Sequence, residues 1–135
     1  MAARGRRGAR RLLLQALYQS QISGHDSGEI LAQFTSRPGF DVADRDYFAS
    51  MLEGILADRE ALDEQISNAA DRPVDQLDPV EHAVLWIGVM ELRSMADIPV
   101  KVVINEAVEL AKQFGAQDSH RYINAVLDAV AAELR

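Results

Sequence analysis

The chain has 135 residues, a length typical of one domain with room for a buried core. It contains no cysteine, which excludes disulfide and thiolate chemistry and favours a cytoplasmic protein. No apolar run reaches the roughly 18–20 residues that a membrane-spanning helix needs. The 14 basic and 21 acidic residues give a formal net charge of −7 at pH 7.

The positive charge is concentrated at the beginning of the chain. Five arginines precede the first acidic residue, Asp26, and the remainder of the chain carries nine basic and 21 acidic residues. Residues 41–81 alone hold twelve acids and three arginines. This polarity predicts two separate electrostatic surfaces, one for an anion and one for a basic partner.

Three interpretations of the arginine cluster in residues 1–11, here called the arm, are open: a transit peptide, a solvated tail, or a segment that neutralises phosphates. A transit peptide is disfavoured because "LLLQALYQSQ", directly after the cluster, has the pattern of a core helix. Phosphate binding is favoured because arginine can donate two parallel hydrogen bonds to a phosphate. The arginines of the arm are Arg4, Arg6, Arg7, Arg10 and Arg11.

The first predicted helix has two apolar faces. The second face carries Leu14, Tyr18 and Ile22, in line with Arg7 and Arg11. It is either a contact surface or the place where another helix packs. The first face, expected to be buried, consists of Leu12, Leu13, Ala16, Leu17 and Ser20.

Two glycines interrupt the arm. Gly5 and Gly8 each disfavour a helix by about 1 kcal/mol relative to alanine. We therefore expect the arm before Ala9 to be loose in the free protein and to become ordered when it binds.

The middle of the chain predicts a short second helix over "SGEILAQF", closed by "RPG", and a third helix capped by Asp44. The acidic stretch "ADREALDEQISNAA" either continues the third helix or begins a fourth after a bend. "DRPVDQL" predicts a linker near residues 71–78 between two helical halves. The inward face of the third helix is expected to contain Tyr47, Phe48, Met51, Leu52 and Ile55.

The stretch "DPVE" is the clearest helix start in the sequence. Asp78 is suited to the N-cap, Pro79 to the first helical position, and Glu81 to the reciprocal hydrogen bond of a capping box. The helix that follows is apolar nearly all round, which predicts that it lies at the centre of a bundle.

Two amphipathic helices complete the predicted fold. The first begins after Pro99 and ends at Gly115 as its C′ residue, and Asp118 caps the second. The pattern as a whole predicts an all-α protein of six or seven helices. The buried residues of these two helices are expected to be Val103, Ala107, Leu110, Ala111, Phe114, Ile123, Val126, Leu127, Val130 and Leu134.

Signs of catalysis are scarce. His25, His82 and His120 fit no metal-ligand spacing, and there is no glycine-rich phosphate loop or nucleophile motif. The glutamates of the later helices lack the Glu-x-x-His pairs of a di-iron bundle. The sequence therefore predicts a protein that is not an enzyme and has no metal or cofactor.

Three stretches carry a resemblance to the NusB family of bacterial transcription antitermination factors: "ARRLLLQALYQSQ", "VEHAVLWIGVMEL" and "IPVKVVINEAVELAKQFGAQDSHRYINAVLDAV". The resemblance as a whole covers essentially the whole chain, in the order of the family and with compatible spacings. Two residues depart from the family pattern. Trp86 stands where arginine is usual, which puts the contact of that arginine in doubt, and Ala125 stands where glycine is common.

The resemblance implies an all-helical fold of two small packed bundles and a role without catalysis. Proteins of this family bind the boxA segment of nascent RNA together with the small-subunit ribosomal protein ten, NusE. The pair joins other Nus factors on RNA polymerase and suppresses premature termination. The same is therefore expected of this chain, in the cytoplasm, on single-stranded RNA.

The charge pattern, the second apolar face of the first helix and the resemblance together predict site residues. For RNA they are Arg6, Arg7, Arg10, Arg11, Arg121 and Tyr122. For NusE they are Tyr18, Ile22, Asp75 and Glu81. Arg121 and Tyr122 have a second interpretation as a solvated arginine and a tyrosine at the edge of the core, and Glu81 as a capping residue only.

Two other functions remain open from the sequence. The chain could be an accessory RNA-binding or scaffold domain of an enzyme that modifies ribosomal RNA, because NusB-like domains are also found fused to such methyltransferases. It could also form a homodimer through Leu14, Tyr18 and Ile22.

Overall fold

A computed structural model describes residues 2–40 and 43–135, with side chains from Gly5 onward. Within these ranges the chain is all α, without a strand, which confirms the predicted fold class. The acidic stretch after the third helix forms a separate fourth helix. The helices are α1 Ala2–Ser23, α2 Ser27–Thr35, α3 Arg45–Ala57, α4 Arg59–Ala69, α5 Pro79–Ser94, α6 Val100–Phe114 and α7 Ser119–Leu134, with a 3-10 turn at Val74–Gln76.

The chain divides into two compact helical units, Met1–Ala57 and Asp58–Arg135. The linker predicted near residues 71–78 is not at this division, because that segment belongs to the second unit. The segment is held there by its own contacts. Leu77 is buried, and the Arg72 guanidinium lies over an aromatic ring of α7.

The first unit packs α1, α2 and α3 against one another around three phenylalanines. The ring centroid of Phe48 lies 5.2 Å from that of Phe40, edge to face, and 5.9 Å from that of Phe34. Such offset pairs are favourable beyond the area they bury. The residues predicted for the inward face of α3 are all buried, which confirms that face.

The arm is helical, so the expectation that it is loose before Ala9 is wrong. Helix α1 begins at Ala2, although the Arg4 side chain lies outside the described residues. The reason is a contact with the start of α3. The Asp44 amide donates a hydrogen bond to the Gly5 carbonyl, 3.0 Å away, and the Arg6 Nε lies 3.0 Å from an Asp44 carboxylate oxygen.

The second unit is built around α5, which packs against α4, α6 and α7. Eleven of its residues are buried, as the apolar pattern predicts. Gly88 permits the close approach of α7, because a Cβ there would lie 2.7 Å from Leu127 Cδ1. The end of α5 is closed by Arg135, whose guanidinium donates to the carbonyl oxygens of Glu91, Leu92, Met95 and Ile98.

Among the helix termini predicted for the second unit, the start of α5 is correct, whereas the start of α7 differs in detail. Asp78 caps α5, and its carboxylate accepts from the Glu81 amide at 2.8 Å. Asp118 precedes α7 but makes no side-chain cap, because its backbone is left-handed at φ 68°. Gly115 ends α6 in an extended conformation, where a Cβ would lie 2.7 Å from the Ala111 carbonyl oxygen.

A few side chains expected in the core lie at its margin. Leu12, Phe114 and Leu134 are half-buried, because each is at the edge of its apolar stripe or near a helix end. The other residues expected on the buried faces of α1, α6 and α7 are buried. The helical period therefore locates the core, and errors are confined to its boundary.

Replacing Gly8 by alanine is expected to raise the free energy of unfolding by about 0.5–1 kcal/mol, because alanine favours a helix and the added Cβ meets no atom within 4 Å. Gly115→Ala should lower that free energy, because of the Ala111 carbonyl. Urea denaturation followed by circular dichroism measures both changes. A Gly8→Ala protein of unchanged stability would contradict a helical arm.

Candidate nucleic-acid interface

The two units differ strongly in charge. Residues 1–57 contain seven arginines and six acids, a net of +1, whereas residues 58–135 contain seven basic and 15 acidic residues, a net of −8. A polyanion is therefore attracted to the first unit and repelled by most of the second. The arm holds five of the seven arginines of the first unit and no acidic residue, so it is the candidate nucleic-acid interface.

Helix geometry sorts the arginines of the arm into two pairs. Residues four apart lie on one face of a helix, so Arg7 and Arg11 share one face and Arg6 and Arg10 share another. Arg7 and Arg11 are exposed, while Arg6 is half-buried and only 5% of Arg10 is exposed. The four arginines predicted to contact RNA therefore differ in accessibility, since Arg7 and Arg11 are exposed whereas Arg6 and Arg10 are turned towards α3.

The inward pair is held by α3. The guanidinium carbon of Arg6 lies 4.5 Å from the ring centroid of Tyr47, and that of Arg10 lies 5.6 Å from the same centroid. Both distances are within the range of a cation–π interaction. Arg6 and Arg10 thus join the arm to the rest of the unit, and Tyr47 itself is buried.

Asp44 is the anionic part of this anchor. Its carboxylate accepts from the Tyr47 amide at 3.0 Å, which caps α3, and from Arg6 at 3.0 Å. Burial by itself would raise the pKa of Asp44, but these two donors outweigh burial and hold the pKa below its ordinary value.

In the second unit the predicted RNA residues differ in accessibility. The Arg121 side chain is 80% exposed and its Nε lies 3.8 Å from an Asp118 oxygen, so it is open to solvent. Tyr122 is half-buried, and its buried hydroxyl has no hydrogen-bond partner in the described part of the chain. Burial raises the pKa of Tyr122 above its ordinary value, despite the nearby Arg72.

Sequence reasoning missed Arg72 and Ser119, which complete the surroundings of Tyr122. The Arg72 guanidinium carbon lies 3.7 Å from the Tyr122 ring centroid, and its Nη2 lies 3.5 Å from a Glu81 oxygen. Burial alone would lower the pKa of Arg72, but Glu81 and Tyr122 reverse this and the pKa is raised. The Ser119 hydroxyl donates to Glu81 at 2.9 Å.

The residues predicted to contact NusE fall into two groups. Tyr18 is 44% exposed and Ile22 is 65% exposed, so they form an apolar surface on α1, and Asp75 is exposed on the 3-10 turn. Leu14 does not belong to that surface, because only 2% of it is exposed. Glu81 is also buried, and its carboxylate is occupied by Ser119 and Arg72 instead of completing the capping box.

Trp86, one of the two departures from the family pattern, joins α5 to α4. Its indole N–H donates to an Asp63 oxygen at 2.8 Å, and His82 Nε2 lies 2.6 Å from the same oxygen. The two rings are in contact, with centroids 4.1 Å apart and planes tilted by 40°. Trp86 is buried, so its position contributes no charge to the surface, whereas an arginine there would. Ala125, the second departure, is exposed on α7.

No group of histidine and carboxylate side chains within residues 2–40 and 43–135 could hold a metal ion. In the same ranges, none of the helices has the length and apolarity that crossing a membrane would demand.

A family model described as the NusB family matches residues 7–132. The transcription antitermination protein NusB of Paraburkholderia phytofirmans is 50% identical over 130 residues, which cover 96% of this chain and 90% of the relative. That of Alcanivorax borkumensis is 49% identical, over 96% of this chain and 87% of the relative.

Two solved structures are similar in fold. T. maritima NusB has a TM-score of 0.85 and 28% identity, covering 94% of this chain and 90% of that one. A crystal structure of the antitermination factors NusB and NusE in complex with dsRNA has a TM-score of 0.84 and 24% identity, covering 96% of this chain and 98% of that one.

Asp44→Asn keeps an oxygen that can cap α3 but removes the charge that pairs with Arg6. We expect it to lower the free energy of unfolding by about 1 kcal/mol at neutral pH. The pKa of Asp44 is depressed in the folded state. Its stabilising contribution is therefore complete above the unfolded pKa of about 3.9 and is lost as the pH falls below it.

The measurement is urea denaturation of both proteins at neutral pH and at about pH 3. The stability difference between them should shrink at the lower pH. A difference that stays constant would show that the Asp44 charge does not stabilise the fold.

Proposed function

The chain belongs to the NusB family, and we propose that it is a transcription antitermination factor that binds boxA-type single-stranded RNA together with NusE. The observation that carries this proposal is the exposed face of α1. It presents Arg7 and Arg11 near its beginning and Tyr18 and Ile22 further along, so one helix offers both a cationic and an apolar surface.

Arg7 and Arg11 are the primary phosphate contacts in this proposal. Both are exposed, they lie one turn apart, and each guanidinium can bind a phosphate with two parallel hydrogen bonds. Arg6 and Arg10 support them by holding the arm to Tyr47, so that the helix is formed before RNA arrives. Binding then costs little ordering entropy.

Base contacts are assigned to the start of α7. Arg121 is open to a phosphate or a base edge. Arg72 covers one side of the Tyr122 ring, so the two form a stacked layer. RNA bases stack on guanidinium planes as well as on aromatic rings. A base can therefore stack on the Arg72 guanidinium while Tyr122 stays half-buried beneath it.

The protein partner is assigned to Tyr18 and Ile22, with Asp75 as a charged contact of the second unit. Ribosomal proteins are usually basic, and a net charge of −8 on residues 58–135 would attract and orient one. Glu81 is proposed to act indirectly, because its buried carboxylate holds Ser119 and Arg72.

The proposed role requires no reaction. The protein would join RNA and NusE to the other Nus factors and RNA polymerase, and so reduce premature termination. Because bacterial transcripts are made in the cytoplasm, the protein is proposed to act there. Its similarity to proteins named transcription antitermination protein NusB, over about nine-tenths of their length, supports the role of an antitermination factor.

The double change Arg7→Ala, Arg11→Ala is expected to weaken binding of a boxA-like single strand about 20-fold at 0.1 M salt. Each lost phosphate contact should make the slope of log affinity against log salt shallower by about 0.7. Fluorescence anisotropy at several salt concentrations measures both quantities. The matched control is Arg59→Ala, which removes an exposed arginine from α4.

The same titrations with a scrambled strand and with a duplex test the form of RNA, since one solved structure of this fold contains dsRNA. Unchanged affinity of the double variant, with its helical circular dichroism retained, would remove the arm from the mechanism. Tighter binding to the duplex would reject single-stranded RNA as the ligand.

For the protein partner, Tyr18→Ser and Ile22→Ser should each weaken NusE binding about 10-fold or more, because each removes apolar area from an interface. Calorimetry with purified NusE in the absence of RNA measures this. Val102→Ser is the matched control, because Val102 is 42% exposed on α6, outside the proposed contact. Equal losses for all three variants would contradict the assignment.

A further inference from the structure

One more arginine of the first unit is held in a fixed position on the surface. Arg37 follows α2 and is exposed, yet its guanidinium carbon lies 3.8 Å from the ring centroid of Phe34. Its Nη1 also donates to the Gln15 Oε1 at 3.2 Å. A guanidinium fixed by stacking and one hydrogen bond loses little freedom when it binds a ligand.

Among the described residues, the charge of Arg37 has no carboxylate partner. Its two contacts are with a neutral amide and an aromatic ring, and no carboxylate of the described residues lies within ion-pair distance of it. Other arginines differ in this respect, because Arg6 pairs with Asp44 and Arg93 pairs with Asp58. Only one of its five N–H donors is bonded within the described ranges, so the rest are available to an anion.

The contact with Gln15 relates Arg37 to the arm. Arg7, Arg11 and Gln15 are successive steps of four residues along one exposed face of α1, and side chains at this spacing are neighbours. Arg37 therefore places a third positive charge where the helix itself has a neutral residue. Its position is one turn beyond Arg11, towards Tyr18.

We propose that Arg37 is a third phosphate-binding residue, which extends the RNA-binding face of α1 onto the end of α2. The inference rests on the proposed function, because it takes RNA bound at Arg7 and Arg11 as its starting point. A strand that leaves Arg11 passes over Gln15 and meets Arg37 before it reaches the apolar surface at Tyr18. The ligand class is the phosphate backbone, so the contact adds affinity without reading sequence.

A purely structural role for Arg37 would be to cover Phe34. Arg37→Met separates the two roles, because a methionine can cover the ring but carries no charge. Arg37→Lys keeps the charge but loses the planar stacking and the paired donors. Arg59→Met is the matched control, since it removes one exposed arginine from the second unit.

In anisotropy titrations of the full chain with a boxA-like single strand, Arg37→Met should weaken binding about fivefold at 0.1 M salt. The salt slope should become shallower by about 0.7, which corresponds to one phosphate. Arg37→Lys should keep the slope of the unmodified protein. Arg59→Met should change neither quantity, and urea denaturation should give Arg37→Met the same stability as the unmodified protein.

The result that overturns the inference is an Arg37→Met protein with unchanged RNA affinity and slope, whereas Arg7→Ala, Arg11→Ala weakens binding. The proposed function would then stand without Arg37. Loss of NusE binding alone in Arg37→Met would also overturn it, because the residue would then be a protein contact. If the double variant also binds RNA normally, the proposed function of the arm is what fails.

Discussion

The contact between the arm and the start of α3 keeps the arm helical and fixes which of its arginines face outward. Asp44 caps α3, pairs with Arg6 and donates its own amide to Gly5, while Tyr47 receives the guanidinium groups of Arg6 and Arg10. These interactions outweigh the helix cost of two glycines, about 1 kcal/mol each, and keep the arm helical. A helix fixed in rotation must point Arg6 and Arg10 inward and Arg7 and Arg11 outward.

That rotation accounts for the exposed face of α1 that is proposed to bind RNA and NusE. Along this face lie first the cationic residues, then Gln15, and then the apolar pair Tyr18 and Ile22. Arg37, at the end of α2, contacts the face through its hydrogen bond to Gln15. A polyanion and an apolar protein surface could therefore be bound by one rigid helix. The second unit contributes strong negative charge, which disfavours RNA except where Arg121 and Arg72 supply positive groups.

In the second unit, family similarity and the local environment of a side chain give different information. The similarity over residues 7–132 identifies the family, but it does not indicate that Glu81 is buried or that Arg72 covers Tyr122. Trp86 illustrates the same point. Its indole N–H donates to the Asp63 oxygen that also lies beside His82, so Trp86 contributes to the contact between α4 and α5.

The sequence by itself determined the helical class, the buried face of α3 and the start of α5 at Asp78 and Pro79, because helix period and N-cap chemistry depend on residues within one or two turns. Only the tertiary structure decided which arginines are exposed and which acids are buried. Asp44 lies 38 residues from Arg6, and Ser119 lies 38 residues from Glu81. Such partners meet through the packing of distant helices, and no local pattern in the chain specifies them.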